Sequence, residues 1–363
     1  MLIGIDGRSF TGHAAGTARY IAGLCRVLDD ALPKAHFAVF SNVPITLPVD
    51  GPRWSVVEDP KGWGAKLSPF EWYMLRAGAL AGQYGVDVFW GGANFLPLRL
   101  PRQVRAVITV HDVVHRIFPR SMTRKHRLAY QTLFRPSLRR ADVVLSNSAG
   151  TSMRLREFGY RPADMVVRPA ASGLFVPPAM QDIVRMREQL GIPGAYLVSV
   201  STLEPRKNLD GLVEAYRQMC ESGELVGISL VLVGQSGWKN GRLNTAIAAP
   251  KDSVASIHLT GYVPEELLPS LYAAAEAVVM PSIYEGFGMP VLEARLCGAR
   301  IVATDLPETR EAGGDQVIYV PPTVEGIQAG IRAARTGARC NPRCADVPRW
   351  EQEGLKLARV LAG

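Results

Sequence analysis

The glycine-containing segment 282–294 has the residue types needed to hold a phosphate and a sugar together. Two carboxylates, Glu285 and Glu293, stand eight residues apart in it. Between them Gly286 and Gly288 allow backbone N–H groups to approach a ligand. Pro290 fits the first position of a helix, whose free N–H groups and dipole favour a diphosphate. Carboxylates accept hydrogen bonds from hydroxyls, so the glutamates fit the sugar-like parts of such a ligand. Taken singly, each glutamate also fits a solvated loop or helix-dipole role.

Two adjacent cations, Arg206 and Lys207, follow another apolar run and precede a predicted helix whose expected N-cap is Asn208. Cations beside a helix N-terminus can neutralise a diphosphate without a metal ion. The sequence contains no Asp-x-Asp pair of the kind that holds a divalent metal on a nucleotide diphosphate. We therefore expect no metal and no cofactor. The alternative interpretation is a surface-exposed cationic loop.

A histidine pair, His111 and His115, flanks Asp112 directly after the apolar run 106–110. Two histidines four residues apart resemble metal ligands, but that spacing serves a metal on a helix, and this segment follows a predicted strand. A metal site is therefore the disfavoured alternative here. We expect Asp112 and His115 to support the local structure.

The run Tyr-Glu-Gly-Phe-Gly-Met-Pro-Val-Leu-Glu-Ala that contains both glutamates resembles the signature of glycosyltransferase family four. These are retaining enzymes of the GT-B fold that use nucleotide sugars, and the resemblance extends over nearly the whole chain. It implies that Glu285 lies against the donor sugar and that Glu293 takes the ribose hydroxyls. It also implies that the backbone amides of Phe287 and Gly288 approach the sugar and phosphate.

The same resemblance assigns further residues. Arg206 and Lys207 correspond to diphosphate ligands that stabilise the departing nucleoside diphosphate, although Ser201-Thr202 stands where many relatives have Gly-Arg. His111 corresponds to a histidine beside the donor sugar. The catalytic residues are thus predicted to be His111, Arg206, Lys207 and Glu285, and the donor-binding residues Gly16, Thr17, Arg206, Lys207, Gly234, Tyr262, Val263, Phe287, Gly288, Met289 and Glu293.

Apolar strand-like runs alternate with helical patterns from one end of the chain to the other, which indicates parallel sheets covered by helices. A Pro- and Gly-rich stretch breaks the alternation near its middle. We therefore expect two Rossmann-like, doubly wound domains facing each other across a cleft, the GT-B arrangement. The predicted boundaries are an N-terminal acceptor-side domain at 1–170, a linker at 171–193, a nucleotide-sugar domain at 194–345 and a helix at 346–363 that packs back on the first domain.

Composition limits the class of protein. A chain of 363 residues with 47% hydrophobic content can bury two cores. It has no run of eighteen apolar residues, and Met1–Asp6 reads as a strand instead of a secretory leader. We expect a cytoplasmic protein, at the inner face of the plasma membrane if it contacts one. The 5 cysteines are scattered and odd in number, so we expect reduced thiols.

Positive charge is concentrated in the first half. Residues 1–170 hold 23 Lys or Arg against 12 Asp or Glu, a formal charge of +11, and the remainder carries −3. Between Arg99 and Arg140 only Asp112 is acidic. This density predicts contact with an anionic membrane or acceptor. Tyr130, Leu133 and Phe134 fall on one side of a predicted helix there, which fits either a bilayer surface or packing on the same domain. No nucleic-acid module accompanies the charge, so we expect no nucleic acid.

These patterns favour a retaining glycosyltransferase that moves a hexose from a nucleotide sugar to a glycan or lipid-linked acceptor in surface polysaccharide or lipopolysaccharide synthesis. Similarity to mannosyltransferases suggests GDP-mannose as donor, with UDP-sugars next. Two alternatives stay open. One is a nucleotide-sugar epimerase or hydrolase of the same fold, and the other is a two-domain binding protein without catalysis.

Overall fold

The computed structural model describes residues 1–11, 16–59, 63–192, 194–235, 237, 241–248, 255–343 and 346–363. The described chain divides into two compact units. The first comprises Met1–Arg116, Arg124–Ala170 and Pro348–Gly363, and the second comprises Ile117–Thr123 and Ala171–Val347. Each contains one parallel sheet with helices packed against it.

The first unit holds a 7-stranded parallel sheet in the order β3-β2-β1-β4-β5-β6-β7. Its strands are β1 (Leu2–Asp6), β2 (His36–Ser41), β3 (Trp54–Glu58), β4 (Val88–Gly91), β5 (Arg105–Val110), β6 (Val143–Ser146) and β7 (Met165–Val166). Its helices are α1 (Gly16–Ala31), α2 (Pro69–Trp72), α3 (Gly78–Gln83), α4 (Val114–Ile117), α5 (Arg124–Ala129), α6 (Arg135–Arg140), α7 (Ala149–Glu157) and, after the second unit, the last helix of the chain, Trp350–Ala362. π-helical turns at Tyr73–Ala77 and Tyr130–Phe134 join α2 to α3 and α5 to α6.

The second unit holds a 6-stranded parallel sheet in the order β10-β9-β8-β11-β12-β13. Its strands are β8 (Ala195–Val200), β9 (Ile228–Val233), β10 (Ile257–Gly261), β11 (Ala277–Met280), β12 (Ile301–Thr304) and β13 (Ile318–Val320). Its helices are α8 (Met180–Leu190), α9 (Leu209–Glu221), α10 (Gly241–Ala248), α11 (Leu268–Ala273), α12 (Met289–Leu296), α13 (Pro307–Gly313) and α14 (Val324–Thr336). The last helix of the chain is therefore α15.

The inner strands of the second sheet are mainly apolar because both faces are covered. Along β8, Tyr196 and Val198 belong to one hydrophobic cluster, whereas Leu197 lies between them in another. Successive side chains of a strand point to opposite faces, so a two-sided core requires an unbroken apolar run.

The order of the strands determines where ligands bind. In each sheet two neighbouring strands, β1 and β4 or β8 and β11, have connections that leave in opposite directions, and ligands of such sheets bind beyond the carboxyl ends at this switch point.

The segment expected to be a linker, 171–193, is more structured than its sequence predicted. Its described residues include α8, and Met186 of that helix is buried in the second unit's core with Phe175 and Ile192. The Pro- and Gly-rich composition marks the two ends of this helix, which begins after Pro178 and ends at Gly191 with φ 60°. The described residues 171–192 are therefore part of the second compact unit.

The last helix, α15, belongs to the first unit. Trp350 lies edge-on to Tyr20 of α1, with ring centroids 6.4 Å apart, and a Cβ on Gly23 would fall 2.6 Å from the Trp350 ring. The buried carboxylate of Glu353 receives Arg168 Nη2 at 3.1 Å and Lys356 Nζ at 2.8 Å. Among the described residues no helix combines the length and the apolar character that a membrane span requires.

Candidate active site

Two loops at the switch point of the second sheet carry the predicted cations and Glu285. One loop follows β8 and the other follows β11, its neighbour in the sheet. The amide of Ile283 donates to the carbonyl of Arg206 at 2.8 Å, which ties the loops together. Asn208 adds a second tie, because its Nδ2 donates to the Pro281 carbonyl at 3.2 Å.

Asn208 does not cap α9 with its side chain, so this part of the sequence interpretation was wrong. The residue adopts a left-handed conformation with φ 54° and makes no side-chain bond to the helix amides. Its amide group is occupied by the carbonyls of Pro281 and Pro322, at 3.2 and 3.0 Å. The side chain therefore joins neighbouring loops at the strand ends.

The predicted residues Arg206, Lys207 and Glu285 form one buried ion cluster. Lys207 Nζ lies 2.6 Å from Glu285 Oε1, and Arg206 Nη1 lies 3.2 Å from Oε2. The hydroxyl of Ser282 donates to Oε1 at 2.7 Å. Lys207 and Glu285 are only 8% and 6% exposed. The alternative of a surface-exposed cationic loop is thus contradicted for Lys207.

A second carboxylate completes the cluster and was not identified from the sequence. Glu204 Oε1 accepts from Arg206 Nε at 2.6 Å, and Glu204 is buried. The cluster therefore contains two cations and two carboxylates. Glu204 and Ser282 are both polar residues shortly after an apolar strand, and that position is the signal that could have identified them.

Electrostatics keep Glu285 ionised. Burial alone would raise its pKa, but Lys207 and Arg206 outweigh burial and lower the pKa to about 2. The pKa of Lys207 is lowered, first by burial and then by the neighbouring Arg206, while Glu285 opposes the shift. A buried ammonium held by a carboxylate and crowded by a guanidinium gains when a further anion enters, because the anion offsets the cation–cation repulsion.

The glycine bend leads into α12, which begins one residue before Pro290, the position that the sequence indicated. Gly288 is the N-cap residue with φ 98°, Met289 begins the helix and Pro290 is its second residue. Phe287 and Met289 are buried in the core of the second unit. Their side chains are therefore packing residues, and any ligand contact made by this stretch involves backbone groups.

Glu293 has different partners from the residues of these two loops. It sits in α12, its side chain is fully buried, and Oε2 accepts a hydrogen bond from the Tyr272 hydroxyl at 3.0 Å. The two glutamates of the motif thus have different partners, ionic for Glu285 and phenolic for Glu293. The ribose contact implied by the resemblance stays a prediction.

Gly234 has a structural requirement of its own. Its φ is 140°, and an added Cβ would fall 1.9 Å from the Ser201 carbonyl oxygen. The close approach is therefore to backbone after β8. After the next strand, β10, Val263 is buried, whereas Tyr262 is 51% exposed. Of these two side chains, Val263 serves the core and Tyr262 is accessible to a ligand.

In the first unit His111 follows β5 and is held in one orientation. Its Nε2 lies 2.6 Å from the Gly92 carbonyl oxygen, and its backbone N–H donates to Asn94 Oδ1 at 2.7 Å. A carbonyl only accepts, so Nε2 carries the hydrogen and Nδ1 is the acceptor of the neutral ring. Burial lowers the His111 pKa and favours that neutral form. Asn94 has a left-handed φ of 63°, a conformation that sequence patterns do not indicate.

The other members of this segment have structural partners. Asp112 Oδ1 accepts from the Val114 amide at 3.1 Å at the start of α4. His115 Nε2 lies 2.9 Å from the Tyr160 hydroxyl, and its ring stacks on Tyr130 with centroids 4.6 Å apart. Within the described ranges no group of three or more His, Cys, Asp or Glu is arranged to hold a metal ion.

The glycine-bearing turn after β1 is described only from Gly16 onward, where α1 begins with Gly16 and Thr17. Residues 12–15 lie outside the described residues, as do Pro193 and Cys344. A Cβ on Gly16 would meet nothing within 4 Å, so packing does not require glycine there.

The apolar stripe of the basic helix packs within its own unit, as one of the two sequence alternatives predicted. Phe134 is buried, and the Tyr130 ring contacts Phe95 with centroids 4.9 Å apart. Phe134 therefore serves the core of its own unit, and the membrane contact of the basic segment stays a prediction. The cations of α5 stay exposed beside Leu128, which is 60% exposed.

Two family models match the chain. Residues 14–170 match "Glycosyltransferase Family 4", and residues 182–339 match "Glycosyl transferases group 1". The second match contains the ion cluster and the glycine bend before α12. The first contains His111.

Several proteins of similar sequence are named as mannosyltransferases. An O-antigen chain mannosyltransferase B of Escherichia coli is 37% identical over 253 residues, which is 68% of this chain and 64% of that protein. A GDP-mannose-dependent alpha-(1-6)-phosphatidylinositol monomannoside mannosyltransferase of Mycolicibacterium smegmatis is 27% identical over 79% of both chains. The serotype-specific mannosyltransferases WbdA of Escherichia coli are matched over only about a quarter of their length.

Among solved structures, sucrose-phosphate synthase from Thermosynechococcus elongatus superposes with a TM-score of 0.70 at 19% identity, over 99% of this chain and 94% of that one. This likeness concerns the fold alone. It agrees with the two doubly wound units described above. Because the two family models together cover most of the sequence and the fold agrees, the chain belongs to the family-four, group 1 glycosyltransferases of the GT-B fold.

Proposed function

We propose that this protein is a mannosyltransferase that moves mannose from GDP-mannose to a hydroxyl of a growing surface polysaccharide or lipid-linked glycan. The observation that carries the proposal is the buried cluster of Arg206, Lys207 and Glu285 at the switch point of the second sheet. Two cations there stand beside a glycine bend that opens a helix. This combination suits a ligand with a diphosphate joined to a sugar.

The cations act on the leaving group. Lys207 Nζ has three N–H donors, and among the described residues its hydrogen-bond partner is Glu285 Oε1. Its remaining donors can bind a diphosphate oxygen together with Arg206 and the first amides of α12. Because these groups are fixed before the reaction, they stabilise the charge that develops as the sugar–phosphate bond breaks. This electrostatic role supports transfer without a metal ion.

The proposed reaction replaces one bond at the anomeric carbon with another. The bond to the diphosphate breaks, a bond to the acceptor oxygen forms, and the hydroxyl proton leaves with the nucleoside diphosphate. We propose that departing and incoming oxygens share one face of the sugar, so that the anomeric configuration is retained, as the family resemblance implies. Glu285, ionised and anchored, would lie against the sugar, with Glu293 at the ribose, and neutral His111 would accept from a sugar hydroxyl through Nδ1.

The names of the relatives support the choice of mannose. The Mycolicibacterium protein is named for GDP-mannose and for a phosphatidylinositol acceptor, and the Escherichia coli protein for O-antigen chains. We propose the same donor class here, with the protein at the inner, cytoplasmic face of the plasma membrane. The exposed cations Arg124, Lys125 and Arg127 of α5 supply charge complementary to an anionic headgroup or acceptor.

The test begins with thermal unfolding of the full chain in GDP, UDP and dTDP. A nucleotide present at one hundred times its dissociation constant stabilises the protein by about 2.7 kcal/mol. The chain is then incubated with radiolabelled GDP-mannose, with and without membrane extract and with and without EDTA. Transfer of label to lipid or glycan, unchanged by EDTA, is the expected result.

The other outcomes contradict parts of the proposal. Turnover of the donor without an acceptor would indicate an epimerase or hydrolase, and nucleotide binding without turnover would indicate a binding protein. Loss of transfer in EDTA that Mg²⁺ restores would refute the metal-independent mechanism. Stabilisation by UDP but not GDP would refute the donor assignment alone.

A further inference from the structure

An arginine–aspartate pair stands at the switch point of the first sheet and has no role in the function proposed above. Asp6 ends β1, and Arg8 lies two residues beyond it. Gly7 between them allows the turn, because a Cβ there would fall 2.5 Å from the Phe40 carbonyl oxygen. The pair therefore occupies the carboxyl end of the strand that neighbours β4, where ligands of doubly wound sheets bind.

The Arg8 guanidinium is fixed on most of its edges. Nε lies 2.9 Å from Asp6 Oδ1, and Nη2 lies 2.7 Å from Oδ2. Nη2 also donates to the Ala93 carbonyl, at 3.1 Å, beyond the end of β4. One face of the group lies over the Tyr73 ring, with Cζ 4.0 Å from the centroid, and Phe70 is 5.3 Å away. A long flexible side chain is thus held in a single position.

The contacts just described do not involve Nη1 of the Arg8 guanidinium. Within the described ranges Nη1 makes no hydrogen bond, and the Arg8 side chain is 14% exposed. If Arg8 only held the loop in place, its bonds to the Asp6 carboxylate and the Ala93 carbonyl would be sufficient. The remaining N–H groups of Nη1 are donors that are already oriented, and they cost little entropy to engage.

The surroundings favour a hydroxyl over an anion as the partner of Nη1. Asp6 is fully buried and directly opposes the charge of Arg8, so the pair is neutral as a unit. A further anion would gain little Coulomb energy and would approach the Asp6 carboxylate. A hydroxyl oxygen still gains a charge-assisted hydrogen bond, which is stronger than one from a neutral donor.

The pair is connected to His111 through one short segment. Ala93 accepts from Arg8, and the next residue, Asn94, accepts from the His111 amide at 2.7 Å. Asn94 Nδ2 donates to the Tyr130 hydroxyl at 2.7 Å. Groups after β1, β4 and β5 thus form a continuous polar edge with aromatic rings beside it, a surface suited to the mixed polar and apolar faces of a sugar.

We propose that Arg8, oriented by Asp6, donates from Nη1 to a hydroxyl of a sugar substrate and so determines how that sugar is positioned. The proposal rests on the glycosyltransferase function proposed above. The sugar is either the acceptor's terminal residue or the hexose of the donor. Both present the same hydroxyl chemistry, and kinetics with the two substrates distinguishes them.

The test uses the full chain with GDP-mannose and a neutral mannose oligosaccharide as acceptor probe. Arg8→Lys keeps the charge but loses the planar fork, and Arg8→Gln removes the charge. The matched control is Arg53→Lys, which alters another arginine paired to an aspartate, Asp29, at the amino end of β3. Michaelis constants for each substrate, turnover and thermal unfolding are measured for all variants.

A rise of roughly 10- to 100-fold in one Michaelis constant is expected for both Arg8 variants, with little change for Arg53→Lys. A rise for the oligosaccharide assigns the acceptor sugar, and a rise for GDP-mannose, with slower donor hydrolysis, assigns the donor hexose. If both Michaelis constants stay within about twofold in folded Arg8→Lys, the proposal is refuted. Inhibition by inorganic pyrophosphate that disappears in Arg8→Gln would also refute it, in favour of an anion site. If the unmodified chain transfers no sugar from any nucleotide donor, the proposed function fails instead.

Discussion

Replacing Lys207 with alanine tests the phosphate assignment most directly. The ammonium lies 2.6 Å from Glu285 Oε1 and is 8% exposed, so its hydrogen bonds form in a poorly solvated environment. A hydrogen bond to a charged group contributes about 1.5–3 kcal/mol. If Lys207 binds the diphosphate, Lys207→Ala should therefore weaken GDP binding by roughly 10- to 100-fold, since about 1.4 kcal/mol corresponds to a factor of ten.

The same change should lower the free energy of unfolding. Breaking a buried pair by removing one partner costs roughly 3–5 kcal/mol when the other charge is left alone. Glu285 would keep Arg206 Nη1 at 3.2 Å and the Ser282 hydroxyl at 2.7 Å. The loss should therefore be smaller, about 1–3 kcal/mol. Urea denaturation without nucleotide measures it.

A matched control separates affinity from stability. Lys356 also pairs with a buried glutamate, Glu353, with Nζ 2.8 Å from Oε2, but it lies on α15 of the first unit. Lys356→Ala should lower the free energy of unfolding and leave GDP affinity unchanged. Calorimetric titration of GDP into both variants gives the comparison. Unchanged GDP affinity in folded Lys207→Ala would show that this lysine does not bind the diphosphate.

Two further predictions concern stability. The pKa of Glu285 is lowered from 4.5 to about 2 in the folded chain. The ionised carboxylate therefore stabilises the protein fully above pH 4.5, and this stabilisation is lost as the pH falls towards 2. Its magnitude is on the order of 3 kcal/mol. Urea midpoints between these pH values should fall more steeply for the native chain than for Glu285→Gln, and parallel curves would contradict the charge assignment. Gly234→Ala should lower the free energy of unfolding by more than about 2 kcal/mol, because φ is 140° and the new Cβ would lie 1.9 Å from the Ser201 carbonyl oxygen. The control Gly51→Ala should change the free energy of unfolding little, because the space around Gly51 is open. Equal urea midpoints for the two variants would contradict this prediction.

Most of the fold could be predicted from the sequence because its strands are buried on both faces. Continuous apolar runs such as Leu2–Ile5 cannot be confused with alternating surface strands, and β1 lies within the segment Met1–Asp6 that was predicted to be a strand. β3 and β7 have no such run. β3 mixes buried, half-buried and exposed positions after a proline-rich stretch, and β7 has only two residues. Neither offers the uninterrupted pattern on which the prediction relied.

The site could be predicted only in part, because motifs identify residues but not their partners. Arg206, Lys207 and Glu285 were singled out by their motifs, yet their mutual hydrogen bonds depend on β8 and β11 being neighbours in the sheet. Residues 78 positions apart in sequence meet there. Asn208 is a second residue whose partners could not be predicted from its motif. Its local context favours an N-cap, whereas the carbonyls that it binds come from distant segments.

The arrangement of charges has a consequence for how binding and catalysis are connected. Within the cluster two cations are balanced by Glu204 and Glu285, so a diphosphate that binds the remaining donors of Lys207 shares this ammonium with Glu285. Because Arg206 also reaches Glu285, the carboxylate can keep one cation while sharing the other. Occupation by the diphosphate would thus loosen one bond to Glu285 and leave its carboxylate better able to interact with the sugar. A substitution in the loop after β8 should therefore change turnover as well as affinity, because the two loops share one set of charges.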